Sequence, residues 1–440
     1  MPQPQALPVA TSAMAKASWH ILPLLGLGYL FSFLDRVNIS FAATQMNLDL
    51  GFSATVYGLG GGLFFLTYAL LEVPSGLVMP RFGARRWIAR IMISWGLLSA
   101  AMMFIQTPFH FYVLRLLLGA AEAGFWPSAI YFLSSWFPGA HRGRAMSRFY
   151  CFGGVASIIM GVLSGWLLEL DGLGGLRGWQ WLFLAEGLPA VLIGLLILQF
   201  LPDAPATARW LSEPERAWIT SELAAENARH GAAADHNVLK ALRNPLVLKL
   251  ALIGCLTIGS YMAFVLIAPQ VLMTATGFDA KHVGYIVSGG GALSVLGMLA
   301  SGWHSDRLGQ RFTHLIGSML LVAGCFVVMA MATSPGTMLA GYFALAFCWP
   351  AVTLSTCLVC TEVAPVRMVA VAMAAINTLS QLGAFAVPPL WGMSKDATGS
   401  FHTGMMLVPF AFLAAAAIGL LLRRQVRANG LSLKPALAAA

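Results

Sequence analysis

Twelve apolar runs of about twenty residues each constrain this chain more than any other feature in it. They fall at 20–42, 57–79, 87–106, 109–137, 145–168 and 179–201, and after an interruption at 246–271, 282–303, 313–333, 336–360, 368–393 and 401–422. A hydrocarbon core ~30 Å thick takes ~20 residues of helix to cross. Lipid offers the backbone no hydrogen-bond partner, so each run is predicted to be a spanning helix. The expected fold is an all-α membrane protein with twelve transmembrane helices in two pseudo-symmetric six-helix bundles. Composition supports it: 58% of the 440 residues are hydrophobic and 10% are charged, against roughly a quarter charged in soluble domains. A net charge of +9 could suggest a nucleic-acid partner, but the basic residues sit in short clusters between the apolar runs. The expected surroundings are therefore a lipid bilayer, with no nucleic acid.

Those clusters set the topology. With the N-terminus inside, 21 of the 26 Lys and Arg fall on the cytoplasmic side, three outside (Arg177, Lys281, Lys395) and two within spans (Arg36, Arg115). Cytoplasmic loops carry the cationic excess in membrane proteins, so both termini of this multi-pass chain are expected in the cytoplasm, and the chain in the cell inner membrane. The first eighteen residues read as a polar cytoplasmic tail and not a signal peptide, since the first apolar run carries Asp35 and Arg36. The polar stretch 202–244 divides a first bundle, 1–201, from a second bundle with its tail, 245–440. Within this linker Ser212-x-x-Glu215 has the form of a capping box. Trp218, Ile219 and Leu223 share one face of the short amphipathic helix it would start.

Several chemistries are not expected. All six cysteines lie in apolar runs, where a disulfide framework would not sit. Cys357-x-x-Cys360 has no second ligand pair near it, so no metal site is predicted. No histidine lies deep in a span, which leaves carboxylates as buried proton carriers. Without a catalytic triad, metal cluster or nucleotide-binding loop, the chain reads as a non-enzyme with no cofactor.

A repeat organises the sequence. Gly76-x-x-x-Pro80-Arg81-x-Gly83-Ala84-Arg85 follows the second run, and Gly302-x-x-x-Asp306-Arg307-x-Gly309-Gln310-Arg311 follows the eighth. The offset is 226 residues at every matched position, and it also carries Gly51-Phe52 onto Gly277-Phe278 and Gly58 onto Gly284. Duplicated six-helix halves are a transporter architecture with the substrate site between them near the midplane.

The pattern G-x-x-x-D-R-x-G-[RQ]-R resembles the signature of the major facilitator superfamily. The second copy is complete; the first departs from it, with Pro80 in place of Asp and Ala84 in place of a basic residue. The resemblance implies that Gly76, Arg81, Gly83, Arg85, Gly302, Asp306, Arg307, Gly309 and Arg311 form cytoplasmic gate motifs; the alternative is that the arginines are simply topogenic anchors. Finer matches lie in Phe33-Leu34-Asp35-Arg36-Val37-Asn38, in Leu114-Arg115-x-x-Leu118-Gly119-x-x-Glu122-Ala123-Gly124-x-x-Pro127, and in Gly178-Trp179-x-Trp181-x-Phe183-x-x-Glu186-Gly187-x-Pro189. These are similar to the anion:cation symporter branch, which includes bacterial tartrate, phthalate and galactonate-type permeases, sialin and vesicular glutamate carriers. Gly83 to Arg90 most resembles the tartrate/phthalate subset.

Charges within a span are costly and need a partner or a task. Counted from His20 at 1.5 Å per residue, Asp35 and Arg36 lie ~22–24 Å deep; counted from Phe109 on the other side, Arg115 lies ~9 Å and Glu122 ~20 Å deep. Arg36 and Arg115 are thus expected at similar depth, as a cationic pair that binds carboxylate through the guanidinium fork. Glu122, nearest the midplane, is the expected proton carrier, coupled to substrate through Arg115, and Asp35 is a second candidate. The alternative is a static network that only holds helices together. The family resemblance places the same roles at these positions, and adds Tyr68 and Asn377 as substrate contacts. Glu72 is expected to pair with Arg142 or Arg144, and Glu186 and Glu362 to be inner-end or packing partners.

The reading is a proton-coupled symporter that imports a small organic anion by alternating access, with the proton as coupling ion. A hydroxylated dicarboxylate such as tartrate, or a sugar acid, is the expected substrate, and the protein is expected to be a monomer. One rival is a proton-antiporting exporter, whose usual fifth-span Gly-Pro signature has no counterpart in Gly153-Gly154-x6-Gly161-x3-Gly165. The other is a non-transporting membrane sensor on the same scaffold.

Overall fold

A computed structural model describes residues 6–230, 243–363 and 369–428. The rest of the linker, 231–242, and the C-terminal tail from 429 lie outside the described residues. The helices are α1 (Ala6–Leu50), α2 (Ala54–Phe82), α3 (Ala84–Ala101), α4 (Pro108–Glu122), α5 (Phe125–Ser134), α6 (Gly139–Leu168), α7 (Gly178–Phe200), α8 (Glu213–His230), α9 (Pro245–Thr276), α10 (Ala280–Leu308), α11 (Arg311–Ala330), α12 (Pro335–Val363), α13 (Val369–Thr398) and α14 (His402–Ala428). Helices α4 and α5 are two parts of one crossing and α8 belongs to the linker. Twelve crossings result, each long and apolar enough for a membrane. Large apolar side chains such as Leu70, Leu299 and Phe410 point outward, where lipid tails would receive them.

The start of α1 differs from expectation. The supposed polar tail is helical from Ala6, and Pro23 sits inside the helix without ending it. The reason is packing: Ala13 and Ala17 are fully buried, and the linker fastens this first stretch. Glu215 accepts from Ser12 Oγ at 2.7 Å and pairs with Lys16 Nζ at 2.9 Å. It also accepts from the Ser212 amide at 2.8 Å, which is one arm of the predicted capping box. Burial raises the Glu215 pKa, but the Ser212 amide, the Ser12 hydroxyl and Lys16 outweigh it and hold the carboxyl down at about 2. Farther along α8, Glu226 meets Arg142 at 2.9 Å and Trp218 stands edge-on to His141. The amphipathic helix therefore lies against the first bundle.

The sequence repeat is a structural one. Helices α2 and α10 begin 226 residues apart, with Ser53 and Asp279 capping the amides of Val56 and His282. Each helix ends at a glycine with positive φ, Gly83 at 83° and Gly309 at 62°, a conformation a side chain would resist.

Between the bundles α2 runs along α13, and α6 along α10. Small residues let these backbones touch: a Cβ on Gly58 would lie 2.5 Å from the Pro388 carbonyl oxygen, and one on Gly161 would lie 2.2 Å from that of Gly284. At the far face, opposite the termini, Asp396 accepts from the amides of Ala54 and Thr55 at 3.0 and 2.8 Å. Lys281 meets Glu169 there at 3.0 Å, and Tyr57 donates to the Leu266 carbonyl at 2.7 Å. Toward the termini the pattern reverses. A Cβ on Gly76 or Gly143 would meet nothing within 4 Å, and one on Gly302 meets only Leu354 of its own half. Close backbone contact across the seam thus runs from the far face to mid-membrane, and these three glycines toward the termini make none among the described residues.

Candidate functional site

The fourth crossing breaks where the chemistry lies. Helix α4 ends at Glu122, Gly124 takes φ +94°, and α5 begins at Phe125. The positive φ suits glycine, and Ser75 crowds it so closely that a Cβ would lie 2.0 Å from Ser75 Oγ. Discontinuous helices at mid-membrane build transporter sites, because the broken backbone presents groups that a continuous helix would cover. Trp126-Pro127 hints at a bend here, but nothing in the residue pattern marks it as a break directly after the acid.

Glu122 is fully buried and accepts from Arg36 Nε at 2.7 Å and from Ser32 Oγ at 2.7 Å. Arg36 stays 28% exposed at its side chain, and its guanidinium lies 4.6 Å over the Tyr68 ring. From the other bundle Asn377 Nδ2 donates to Glu72 at 2.7 Å. This corrects the expected pairing of Glu72 with Arg142 or Arg144, since Arg142 is engaged with Glu226 and the Phe137 and Ser134 carbonyls.

The two arginines are not side by side in this conformation. Arg115 is 1% exposed, donates to the carbonyls of Gly60 and Gly61 at 3.2 and 3.4 Å, and lies 4.7 Å from the Phe64 ring. Phe64 stacks on Tyr68 at 5.9 Å, so two aromatic rings separate the guanidiniums. The depth count compared Cα positions only; helical side chains lean toward their N-termini, which carries Arg36 inward and Glu122 outward until they meet. Arg36 thereby reaches back to Glu122, and Arg36, not Arg115, is the cation beside the acid.

Asp35 turns away from Arg36, as their 100° separation on α1 requires, and accepts from Ser99 Oγ of α3. Glu362 does sit at the inner end, 3.5 Å from Arg311. Glu186 does not: it is 1% exposed within the first bundle, with Asn38 as its polar neighbour and no cation paired with it among the described residues. In the gate motifs Arg311 pairs with Asp306 at 2.9 Å and Arg85 with Asp203 at 3.1 Å, each within its own half or linker. Arg307 lies over Trp303 and Arg81 is exposed. Of the neutral groups in the second bundle, Thr353 and Thr356 bond their own backbone, Ser288 Oγ accepts from the Val162 amide across the seam, and Tyr261 stacks on Trp349 at 3.7 Å.

Residues 25–388 match the family model described as Major Facilitator Superfamily. The chain belongs to that superfamily. It is a membrane transporter, with twelve crossings among the described residues. Among its relatives is a "Putative tartrate transporter" of Agrobacterium vitis, 41% identical over 421 residues that cover 93% of this chain and 91% of the relative. Another is a "Quinolone resistance transporter" of Acinetobacter baumannii, 36% identical over 90% of this chain and 91% of the relative. The fold is shared with a crystallised bacterial homolog of the human lysosomal transporter Spinster, with a TM-score of 0.80 at 17% identity over 94% of this chain and 98% of that one.

Proposed function

We propose that this transporter imports a small organic anion together with protons by alternating access, with a hydroxylated dicarboxylate such as tartrate, or a sugar acid, as substrate. The observation that carries the reading is the Arg36–Glu122 pair at 2.7 Å, with the Arg36 side chain partly exposed and the Glu122 side chain buried. An incoming carboxylate competes with Glu122 for the guanidinium fork. Once Arg36 turns to substrate, Glu122 sits in an apolar wall without its cation, and taking up a proton neutralises it. Loss of that proton restores the carboxylate, which reclaims Arg36 and expels the anion. One guanidinium shared by two carboxylates thus couples the fluxes. Tyr68 orients Arg36, Asn377 brings the second bundle to the anion, and Arg115 joins only after α2 shifts and releases it. Asp35 is the second proton site.

The face bearing the termini, where these seam glycines make no backbone contact, is assigned to the cytoplasm of the inner membrane on the strength of the cation bias. The described conformation is then the one that releases cargo inward, from a monomer that needs no cofactor. The tartrate-transporter relative supports the substrate class. The quinolone-resistance relative favours a second reading, export against protons.

Thermal-shift titration with tartrate and other mono- and dicarboxylates at two pH values tests the site. Arg36→Ala should weaken binding of whichever acid stabilises the wild type by roughly thirtyfold, since a charged hydrogen bond contributes about 2 kcal/mol. Retained affinity in Arg36→Ala contradicts the assignment. Stabilisation by planar aromatic drugs and by none of the acids favours the exporter.

A further inference from the structure

The first bundle sinks four carboxyls into its spans, Asp35, Glu72, Glu122 and Glu186, against two guanidiniums, Arg36 and Arg115. Three of the acids have partners: Glu122 has Arg36 and Ser32, Asp35 has Ser99, and Glu72 has Asn377. Glu186 has no cation: its polar neighbour is Asn38 of α1, and by hydrogen-bond distance and angle both carboxyl oxygens and Asn38 Nδ2 are unbonded among the described residues.

The helices around α7 supply no cation. Helix α1 brings Asp35 and Asn38 toward Glu186, with Arg36 turned to Glu122. Helix α3 brings Trp95, whose Nε1 is unpartnered, and Ser99, which is bonded to Asp35. Helix α6 brings Ser164, also unpartnered. Arg115 and Glu122 of α4 act on Asp35 and not on Glu186, and their hydrogen bonds go elsewhere. Helices α3 and α7 meet backbone to backbone, since a Cβ on Gly187 would lie 2.6 Å from the Gly96 carbonyl oxygen. An ionised carboxylate cannot stay in such a place unpaired; it neutralises instead.

We propose that Glu186 is a proton-holding acid of the transport cycle, one that carries a proton in the far-closed conformation and shares a single negative charge with Asp35. This rests on the proton-coupled reading above. Two carboxyls near one another in an apolar setting do not ionise together, so they titrate as a pair. When Asp35 is ionised, Glu186 keeps its proton; when Asp35 is protonated, Glu186 is freed to lose its own. Glu186 positions the charge on Asp35 and does not touch the anion.

Infrared spectroscopy of the unliganded full-length protein in lipid nanodiscs reads protonated carboxyls through their C=O stretch. At neutral pH the wild type should show a buried carboxylic-acid band that Glu186→Gln removes and Glu122→Gln leaves in place. Glu186→Asp, which keeps an acid should the glutamine variant not fold, should retain the band at a shifted frequency. Asp35→Asn removes the neighbouring charge, so base should bleach the band at lower pH than in wild type. A band that survives Glu186→Gln, vanishes at neutral pH in Glu186→Asp, or bleaches at the wild-type pH in Asp35→Asn overturns the proposal. No substrate enters the measurement, so it can fail while anion symport stands, and transport assays can fail while it stands.

Discussion

Arg36 and Arg115 carry the same guanidinium, yet the fold gives them different tasks. Motif and burial made both legible in the sequence, along with Glu122 and Asp35, because a charge in an apolar run stands out. Which acid meets which cation was not legible: it depends on the lean of long side chains along their helices, and that is not written in residue spacing. Arg115 forks across the Gly60 and Gly61 carbonyls at the glycine-rich part of α2 that touches α13. A lysine keeps the charge but cannot fork across two carbonyls. Arg115→Lys should therefore lower stability by about 1–3 kcal/mol, read as an earlier melt of the detergent-solubilised protein. An unchanged melt would mean that these carbonyl bonds hold nothing together.

The elements are set by periodic burial and by breaks in it. All twelve crossings were legible from run length. The break between α4 and α5 was not, because an Ala-Gly pair inside an apolar run also occurs in unbroken helices. Its cause is tertiary: Ser75 of α2 occupies the space where a side chain at 124 would stand. For Gly124→Ala the left-handed backbone alone costs ~1–2 kcal/mol, and overlap with Ser75 adds to it. The variant should melt well below wild type, and adding Ser75→Gly should recover the overlap part but not the backbone part. Wild-type melting in Gly124→Ala would show that the break is incidental. The start of α1 was misread for a similar reason: an Ala-rich stretch with few charges is neither tail nor span by composition, and the linker's Glu215 decides it.

For the whole molecule, the internal repeat predicted the two halves but not their fastening. Asp396 near the end of α13 holds the first turn of α2, and Glu169 at the end of α6 holds Lys281 in the first turn of α10. The residue 226 positions before Asp396 is Leu170, the neighbour of Glu169, so the two latches are related by the repeat itself. Between them Gly161 and Gly284 allow the backbones to touch. Gly161→Leu should wedge the far face apart, and the distance between spin labels on the exposed far-face residues Leu48 and Phe278 should widen. An unchanged distance would mean that the glycine contact does not set the closed state. Opening and closing of this seam matter only if they are tied to the charge exchanged at Arg36. That tie is tested most directly by Glu122→Gln in proteoliposomes, with labelled tartrate followed first in equilibrium exchange and then under an imposed pH gradient. The account predicts that exchange persists near the wild-type rate while gradient-driven accumulation is lost. Uphill accumulation that survives in Glu122→Gln would contradict it.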